Sequence, residues 1–321
     1  MREVLQLLRD GQFHSGEAIG GLLGVSRAAV WKRLQHLEDE LGLVIHRIPG
    51  RGYRLSSPLS LLDEGVIVQR SWEAGWHAAV LESTDSTNSE VLRQLAGGAR
   101  GPLLVVAERQ ERGRGRRGRE WVSPFAVNLY YSLGIRLEGG SFPLSGLSLS
   151  VGLSVLGALR EVGCLGVGLK WPNDLLLGGR KIAGVLLELA GDPADACHVV
   201  IGIGINVNMR ADGSISIDQP WTSLRESLGH VVDRTDLVLS LGRWLRHYLD
   251  LHGSGGFSAL REEWESWHLW QDKEVSLLAG THRIDGRVLG VDRLGALRLD
   301  VAGEERQFSG GELSLRLRDD S

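Results

Sequence analysis

The middle of the chain places strand-like runs directly after one another. Apolar and β-branched residues cover 128–135, 182–189 and 198–207, and these runs follow other strand-like residues with no helix between them. A doubly wound parallel sheet needs a helix between successive strands. The spacing therefore predicts an α+β fold, with helices such as 88–95 and 144–162 lying beside the sheet.

A different pattern, of three short helices and a hairpin, covers the first 57 residues. Two stripes of apolar residues with helical spacing follow one another, and Gly24 ends the second. Ser26 is then a good N-cap for a third helix. A Pro-Gly-Arg-Gly turn at 49–52 then separates two strand-like arms. This order predicts a winged helix-turn-helix domain.

The third helix carries most of the residues that we expect to contact DNA. Val30, Leu34 and Leu37 fall at i, i+4 and i+7 and face the core, so basic and aromatic side chains occupy the other faces. In a major groove the first residues of such a helix reach base edges, while the wing arginine meets phosphate. The candidate DNA-binding residues are Ser26, Arg27, Trp31, Lys32, Arg33 and Arg51.

The net charge of this domain limits how tightly one copy of it can bind DNA. Residues 1–57 hold eight Lys/Arg against six Asp/Glu, a small excess for neutralising phosphates. We therefore expect one copy to bind DNA weakly, and a dimer to be needed for functional DNA binding. The alternative is a small helical interaction domain with ordinary surface charges.

Two boundaries divide the rest of the chain. A Ser-Ser-Pro sequence at 56–58 begins a linker, and a linking helix is expected at 59–68. From 273 onward, short strands alternate with glycine turns, which predicts a small β-barrel of about 50 residues. We expect domains at 1–58, 66–268 and 270–321.

Composition excludes several classes of protein. The 321 residues have a net charge of −4, 42% hydrophobic residues and 24% charged residues, which excludes a disordered chain and a wholly basic nucleic-acid binder. Cys164 and Cys197 are the two cysteines, too few for a disulfide scaffold or, alone, for a structural zinc site. The sequence has no run of 18 apolar residues. We expect a cytoplasmic protein that does not contact a membrane.

The densest positive charge lies at 109–119, the arginine loop, where RQERGRGRRGR holds six arginines and one glutamate. Its glycines match G-x-G-x-x-G, but a strand follows in place of the helix that would hold a dinucleotide pyrophosphate. The P-loop sequence is also absent. Like charges at this density repel one another, so we expect the loop to become ordered over a phosphate. The alternative is a solvated basic surface or a tail that binds nucleic acid.

Two other segments indicate a polar ligand. The sequence DSTNSE at 85–90 begins a helix, either with a simple capping box from Thr87 to Glu90 or with hydroxyls and N–H groups offered to a ligand. KWPND at 170–174 and GRKIAG at 179–184 flank a tight hairpin. Two of the four lysines lie there, against 32 arginines in the chain, which indicates a need for a compact point charge.

Taken together, these motifs resemble those of one family. DSTN, GRGRRGR followed by SPF and NLY, KWPND, GRKIAG and GIGIN occur in this order, and the set is similar to that of the biotin–protein ligases. With the winged helix in front, the chain resembles the bifunctional members, which also repress the biotin operon. The resemblance implies a central mixed-sheet ligase domain of the biotin/lipoate-ligase type and an SH3-like C-terminal barrel.

The resemblance also implies a two-step reaction. Biotin and MgATP give biotinyl-5′-AMP and pyrophosphate, and a lysine of the biotin carboxyl carrier protein of acetyl-CoA carboxylase then attacks the mixed anhydride. ATP with Mg²⁺ and biotin are thus expected as substrates, without a tightly bound metal. Operator DNA is expected at the N-terminal domain, with the adenylate as co-repressor of a homodimer that pairs through 202–208.

Matched position by position, the resemblance assigns roles to residues of these motifs. The biotin-binding residues are Ser86, Thr87, Asn88, Gln110, Arg114, Gly115, Arg116 and Lys181. The nucleotide-binding residues are Arg116, Arg117, Trp121, Asn173, Lys181 and Asn206. The catalytic residues are Lys181, Arg114 and Arg116, and Asp174 lies on the metal side without a defined ligand set.

The chain departs from the family pattern at two positions. Ala126 stands where glycine usually follows SPF, and Glu120 places an acid beside the arginine loop. Two other functions stay open: a biotin-sensing transcription factor without ligase activity, and a lipoate-type acyltransferase on the same fold.

Overall fold

The structure, a computed structural model, describes residues 2–99, 101–138, 143–191, 196–211, 217–310 and 313–318. The helices are α1 (Arg2–Leu8), α2 (Gly16–Leu23), α3 (Arg27–Leu41), α4 (Glu64–Glu73), α5 (Thr87–Ala96), α6 (Leu147–Glu161), α7 (Leu224–Leu228), α8 (Arg234–Gly255) and α9 (Arg261–Ser266), with 3-10 turns at Arg116–Gly118 and Phe257–Ala259. The strands are β1 (Ile45–Ile48), β2 (Gly52–Leu55), β3 (His77–Leu81), β4 (Leu103–Ala107), β5 (Leu129–Glu138), β6 (Val167–Lys170), β7 (Asp174–Leu177), β8 (Arg180–Gly191), β9 (Ala196–Ile205), β10 (Glu274–Ala279), β11 (His282–Val291), β12 (Leu297–Val301), β13 (Glu304–Phe308) and β14 (Leu313–Leu317).

The predicted winged helix-turn-helix domain is confirmed at the N-terminus. Ser26 caps α3, and its hydroxyl accepts from the Ala29 N–H at 3.2 Å. The strands β1 and β2 form the antiparallel wing. The turn lies close against α2 because Gly20 has no side chain: a Cβ there would lie 2.6 Å from the Val25 carbonyl oxygen. The three apolar residues of α3 that were predicted to face the core are fully buried.

The linking helix begins later than predicted. It was expected at 59–68, but α4 begins at Glu64. The Leu62 N–H instead donates to the Glu108 carboxylate, and the Ser60 carbonyl accepts from the Arg234 side chain, both in the central domain. These two side chains also form a buried ion pair. The prediction is therefore wrong for the first half of this helix, because tertiary contacts take up its backbone groups.

A seven-stranded mixed sheet forms the centre of the molecule, in the order β3-β4-β5-β9-β8-β7-β6. The β3–β4 pair is parallel and the other pairs are antiparallel. Leu104 and Val106 of β4 face a core cluster with α6 and α8, whereas Val105 faces a smaller cluster with α5. This arrangement confirms the α+β fold that successive strands without helices predicted.

The region expected to pair across a dimer lies inside this sheet. Residues 202–205 belong to β9, which is hydrogen-bonded to β5 on one side and to β8 on the other. The N–H groups of Asn206 and Asn208 also donate within the chain. Because these backbone groups are already used, strand pairing between copies through 202–208 is not available, and that expectation is wrong.

The small β domain expected from 270 is a five-stranded antiparallel sheet in the order β13-β12-β11-β10-β14. Four of its strands were predicted, and β14 was missed. Its Leu313, Leu315 and Leu317 alternate with polar residues, a signal that would have found it. The sheet contacts the central domain, where Trp171 Nε1 donates to the Gly295 carbonyl at 3.0 Å.

Within the described ranges, no helix combines the length and the apolar character that crossing a membrane requires. Both cysteines are buried, and neither forms a disulfide bond.

Candidate active site

One pocket on the central sheet collects residues from distant parts of the sequence. It lies over β8 and β9 and is bounded by the start of α5, the arginine loop, the β6–β7 turn and β14. It encloses about 980 Å³, open solvent at its mouth included. All of the residues predicted to bind biotin line it, namely Ser86, Thr87, Asn88, Gln110, Arg114, Gly115, Arg116 and Lys181.

Glycines on adjacent strands form the floor of the pocket. Gly184 of β8 pairs with Gly204 of β9, and Gly202 lies two residues earlier on β9. A Cβ at Gly202 would lie 2.4 Å from Asn88 Oδ1, and a Cβ at Gly204 would lie 2.4 Å from Trp121 Cε2. The alternating glycines of GIGIN therefore let Asn88 and Trp121 lie directly on the sheet.

Neutral hydrogen-bonding groups line one end of the pocket. The N–H and the hydroxyl of Thr87 both donate to Gln110 Oε1, at 2.9 and 3.1 Å, and Gln110 Nε2 donates to Ser123 at 3.0 Å. Thr87 therefore does not form the capping box with Glu90, whose carboxylate bonds within its own helix. Fixed donors and acceptors of this kind suit a small polar ring.

Asn88 is held between two residues that the sequence analysis missed. Its Nδ2 donates to Glu188 at 2.7 Å, and its Oδ1 lies 2.6 Å from the Ser132 hydroxyl. Glu188 also forms an ion pair of 2.9 Å with Arg114. An acid within the apolar run 182–189 is a visible sequence signal, whereas a serine within a strand gives none.

The other end of the pocket is cationic. Lys181 Nζ lies 2.7 Å from Asp174 Oδ1 and 5.4 Å from the centre of a Trp121 ring. Lys170 Nζ lies 3.9 Å from the other Asp174 oxygen, and burial lowers the pKa of its ammonium group. Lys170 was indicated by the scarcity of lysine but was not assigned a role. It lines the same pocket.

Arg116 joins the arginine loop to the C-terminal domain. One guanidinium nitrogen donates to Asn173 Oδ1 at 2.8 Å and the other to the Gly310 carbonyl at 2.9 Å. Burial lowers the pKa of this guanidinium, although arginine stays charged at neutral pH. Arg117, with a left-handed φ of 60°, and Trp121 also line the pocket. Most of the predicted nucleotide-binding residues are thus brought together.

Asn206 is the predicted nucleotide-binding residue that does not line this pocket. Its side chain is buried, and its Nδ2 donates to the Thr222 carbonyl at 3.0 Å and to the Lys181 carbonyl at 3.4 Å. Asn206 therefore contacts the backbone of Lys181 without lining the pocket.

Asp174, the residue expected on the metal side, has both oxygens directed toward lysines. Among the residues that the structure describes, no group of three or more His, Cys, Asp or Glu side chains is arranged to hold a metal ion.

The predicted DNA-binding residues lie on α3 and the wing. Most of their side chains are exposed, and Arg33 is half-buried; the set is Ser26, Arg27, Trp31, Lys32, Arg33 and Arg51. The hydroxyl of Ser26 is used as the helix cap. The Arg51 and Arg54 guanidinium groups lie 4.5 and 4.8 Å from the centre of the Phe13 ring. Phe13, which the sequence analysis did not single out, thus holds two arginines of the wing.

Two family models match the chain. Residues 79–206 match the Biotin/lipoate A/B protein ligase family, and residues 1–54 match an HTH domain. Fold and site therefore define the class of protein: a ligase domain of the biotin/lipoate type that follows a helix-turn-helix domain.

Known relatives match nearly the whole chain. The Bifunctional ligase/repressor BirA of Salmonella typhimurium is 43% identical over 313 residues, and that of Escherichia coli is 41% identical over 314 residues; each match covers 98% of this chain and 96% of the relative. The solved structure of a biotin protein ligase from Aquifex aeolicus in complex with biotin and ATP has a TM-score of 0.66 and 33% identity, and covers 75% of this chain and 98% of that chain. The chain belongs to the biotin–protein ligase family, among its bifunctional ligase/repressors.

Proposed function

We propose that this chain is an ATP-dependent biotin–protein ligase that also represses transcription. One observation carries the proposal: a single pocket joins a neutral polar end, at Thr87 and Gln110, to a cationic end, at Lys170 and Lys181. The neutral end suits the ureido ring of biotin. The cationic end suits a carboxylate that meets the phosphates of ATP.

In the first half-reaction a carboxylate oxygen of biotin attacks the α-phosphorus of ATP. The bond to the leaving oxygen breaks, so that biotinyl-5′-AMP and pyrophosphate form. Both reactants are anionic, and Lys181, Arg114 and Arg116 lower their repulsion and stabilise the charge gathered on phosphorus. Mg²⁺ enters with ATP as part of the substrate, on the side of Asp174. Asn206 acts indirectly, by holding the backbone of Lys181.

In the second half-reaction the amine of an acceptor lysine attacks the acyl carbon of the adenylate. An amide forms, AMP leaves, and the acceptor is the biotin carboxyl carrier protein of acetyl-CoA carboxylase. Until that lysine arrives, the adenylate must be kept from water. The contact of Arg116 with Gly310 closes the arginine loop onto the C-terminal domain and supports this shielding.

Repression follows if the adenylate favours a homodimer. Two winged helices then contact two half-sites of an operator, and the adenylate raises DNA affinity by the free energy with which it favours the dimer. We place both activities in the cytoplasm. We divide them among a DNA-binding domain at 1–58, a catalytic domain at 66–268 and a C-terminal domain at 270–321.

The ligase activity is tested with the full chain, labelled biotin, MgATP and a recombinant biotin carboxyl carrier domain. We expect label on the carrier, and none on a carrier whose acceptor lysine is replaced by arginine. Transfer of lipoate in preference to biotin would instead support the lipoate-type acyltransferase. Biotin binding without transfer or adenylate formation would support the sensor without ligase activity.

The repressor activity is tested by footprinting on DNA upstream of biotin-synthesis genes. With biotin and MgATP present, we expect protection of two half-sites related by two-fold symmetry. Protection should weaken when biotin is omitted. A footprint of the same strength under both conditions would contradict the role of the adenylate as co-repressor.

A further inference from the structure

A carboxylate forms an ion pair with an arginine of a pocket whose proposed ligands are anions. Glu188 lies on β8, two residues beyond the pocket-lining Leu186, and its side chain is 26% exposed. Glu188 Oε2 lies 2.7 Å from Asn88 Nδ2 and 2.9 Å from Arg114 Nη2. Considered as a charge alone, an acid here weakens the attraction for an anion. Its contacts with two residues proposed to bind biotin suggest what it contributes instead.

The first contact fixes the orientation of the Asn88 carboxamide. This group has a donor end and an acceptor end, and it presents a different pattern to a ligand when it is turned over. The Ser132 hydroxyl lies within reach of both Asn88 Oδ1 and Thr87 Oγ1, at 2.6 and 2.7 Å. The Ser132 hydroxyl has one hydrogen and cannot donate to both oxygens, so it does not fix which end of the Asn88 carboxamide faces it. Glu188 only accepts, so the Nδ2 donor of Asn88 faces its carboxylate.

The second contact restrains Arg114 before a ligand arrives. Arg114 is flanked by Gly113 and Gly115, so its backbone has wide freedom. The ion pair with Glu188 on the sheet keeps its guanidinium beside the pocket. When an anionic ligand binds, Arg114 exchanges one negative partner for another. Because Arg114 is already held in place, less conformational entropy of the loop is lost on binding.

We propose that Glu188 is a positioning residue of the biotin site. It orients Asn88, and it holds Arg114 in place until ligand takes over that interaction. This inference rests on the proposed function, because it takes Asn88 and Arg114 to be biotin-binding residues.

Two variants separate the two contacts, and a third is the matched control. Glu188→Gln keeps an oxygen that can accept from Asn88 but removes the negative charge beside Arg114. Glu188→Ala removes both interactions. Glu111→Gln removes a negative charge from the arginine loop itself, at an exposed carboxylate that lies 3.4 Å from the Ser83 hydroxyl.

The first readout is biotin affinity, measured by calorimetry. For Glu188→Ala we expect a Kd about tenfold higher than that of the wild type, a change of about 1.4 kcal/mol. For Glu188→Gln we expect a Kd within about twofold of the wild type, because Asn88 keeps its orientation and the loss of restraint on Arg114 is offset by the loss of a negative charge that weakens the attraction for an anion. For the Glu111→Gln control we also expect a Kd within about twofold of the wild type.

The second readout is tryptic cleavage after Arg114 in the ligand-free protein, followed by mass spectrometry. Proteolysis reports local opening of the chain. Cleavage at this bond should become several-fold faster in both Glu188 variants and stay unchanged in the control. This readout needs no ligand, so it tests the restraint on Arg114 even if the chain fails to bind biotin, in which case the proposed function fails separately.

Wild-type biotin affinity in Glu188→Ala, or wild-type cleavage after Arg114 in both Glu188 variants, would overturn the inference. Thermal unfolding is recorded for each variant. If Glu188→Ala does not fold, the near-isosteric Glu188→Gln decides the question: faster cleavage supports the restraint, and wild-type cleavage overturns it.

Discussion

Ala126 adopts a left-handed backbone conformation, with φ of 59°, at the position where the family pattern has glycine. This conformation costs an alanine about 1 kcal/mol. The Ala126 methyl group is fully buried in the hydrophobic cluster of the N-terminal domain, which offsets the cost by about 0.8 kcal/mol. Its N–H donates to the Glu108 carbonyl at 2.9 Å. The departure from the pattern is thus accommodated by packing outside the pocket.

Lys181 carries the most specific prediction at this scale. Its ammonium group is proposed to stabilise charge that gathers on phosphorus during adenylation. Lys181→Ala should therefore lower the rate of adenylate formation by about 10²- to 10³-fold, while the Kd for biotin changes by less than about threefold. The control is Lys273→Ala, at an exposed lysine of the C-terminal domain. Equal losses in rate and in biotin affinity would contradict this role.

Gly204 tests the floor of the pocket. A Cβ at this position would collide with Trp121, so Gly204→Ala should displace the indole and raise the KM for ATP about tenfold, a loss of about 1.4 kcal/mol. Gly21→Ala is the matched control, because a Cβ there meets nothing within 4 Å and alanine favours helix α2. A wild-type KM in Gly204→Ala would show that Trp121 does not contribute to nucleotide binding.

At the scale of elements, local signals predicted most of the fold. The cap at Ser26, the strand-like runs and the glycine turns each act within a few residues, and the structure confirms them. The start of α4 depends on Glu108 and Arg234, far away in the sequence. The motifs likewise located the pocket. Glu188 and Ser132 contact its lining residue Asn88 from β8 and β5; the acid in an apolar run was visible in the sequence, but the strand pairing that brings both residues to Asn88 was not.

The arginine loop is the element on which retention of the adenylate depends. Arg116 connects it to Asn173 and to Gly310 of the C-terminal domain. Arg116→Gly should release the adenylate at least about tenfold faster, since it removes two charge-assisted hydrogen bonds. Release is measured by filtration with labelled adenylate. Arg112→Gly, at an exposed arginine of the same loop, should retain the wild-type rate, and equal release from both variants would contradict the account.

At the scale of the whole molecule, the arginine loop and the segment that follows it both contact the N-terminal domain. Arg109 Nη1 donates to the Glu40 carbonyl at 2.6 Å, near the end of α3. The last turn of α3 contains no basic residue of its own, so Arg109 supplies the positive charge that favours a helix C-terminus. Beyond the loop, Phe125 packs into the core of the same domain. The pocket and the proposed DNA-reading helix are therefore joined within one copy of the chain.

This connection predicts the effect of Arg109→Ala. Without the guanidinium, the end of α3 should open more often, at a cost of about 1 kcal/mol. Amide hydrogen exchange in the last turn of α3 should then become several-fold faster, while exchange in α8 stays unchanged. Arg112→Ala is the control within the same loop. Unchanged exchange in α3 would show that this contact does not stabilise the helix.

The central claim is that the pocket activates the carboxylate of biotin with ATP. The most direct measurement is exchange of labelled pyrophosphate into ATP by the full chain, because exchange requires reversible formation of the adenylate but no acceptor protein. We predict exchange that depends on biotin and stays at background with lipoate. Absence of exchange in folded protein saturated with biotin and MgATP, or equal exchange with lipoate, would contradict the claim.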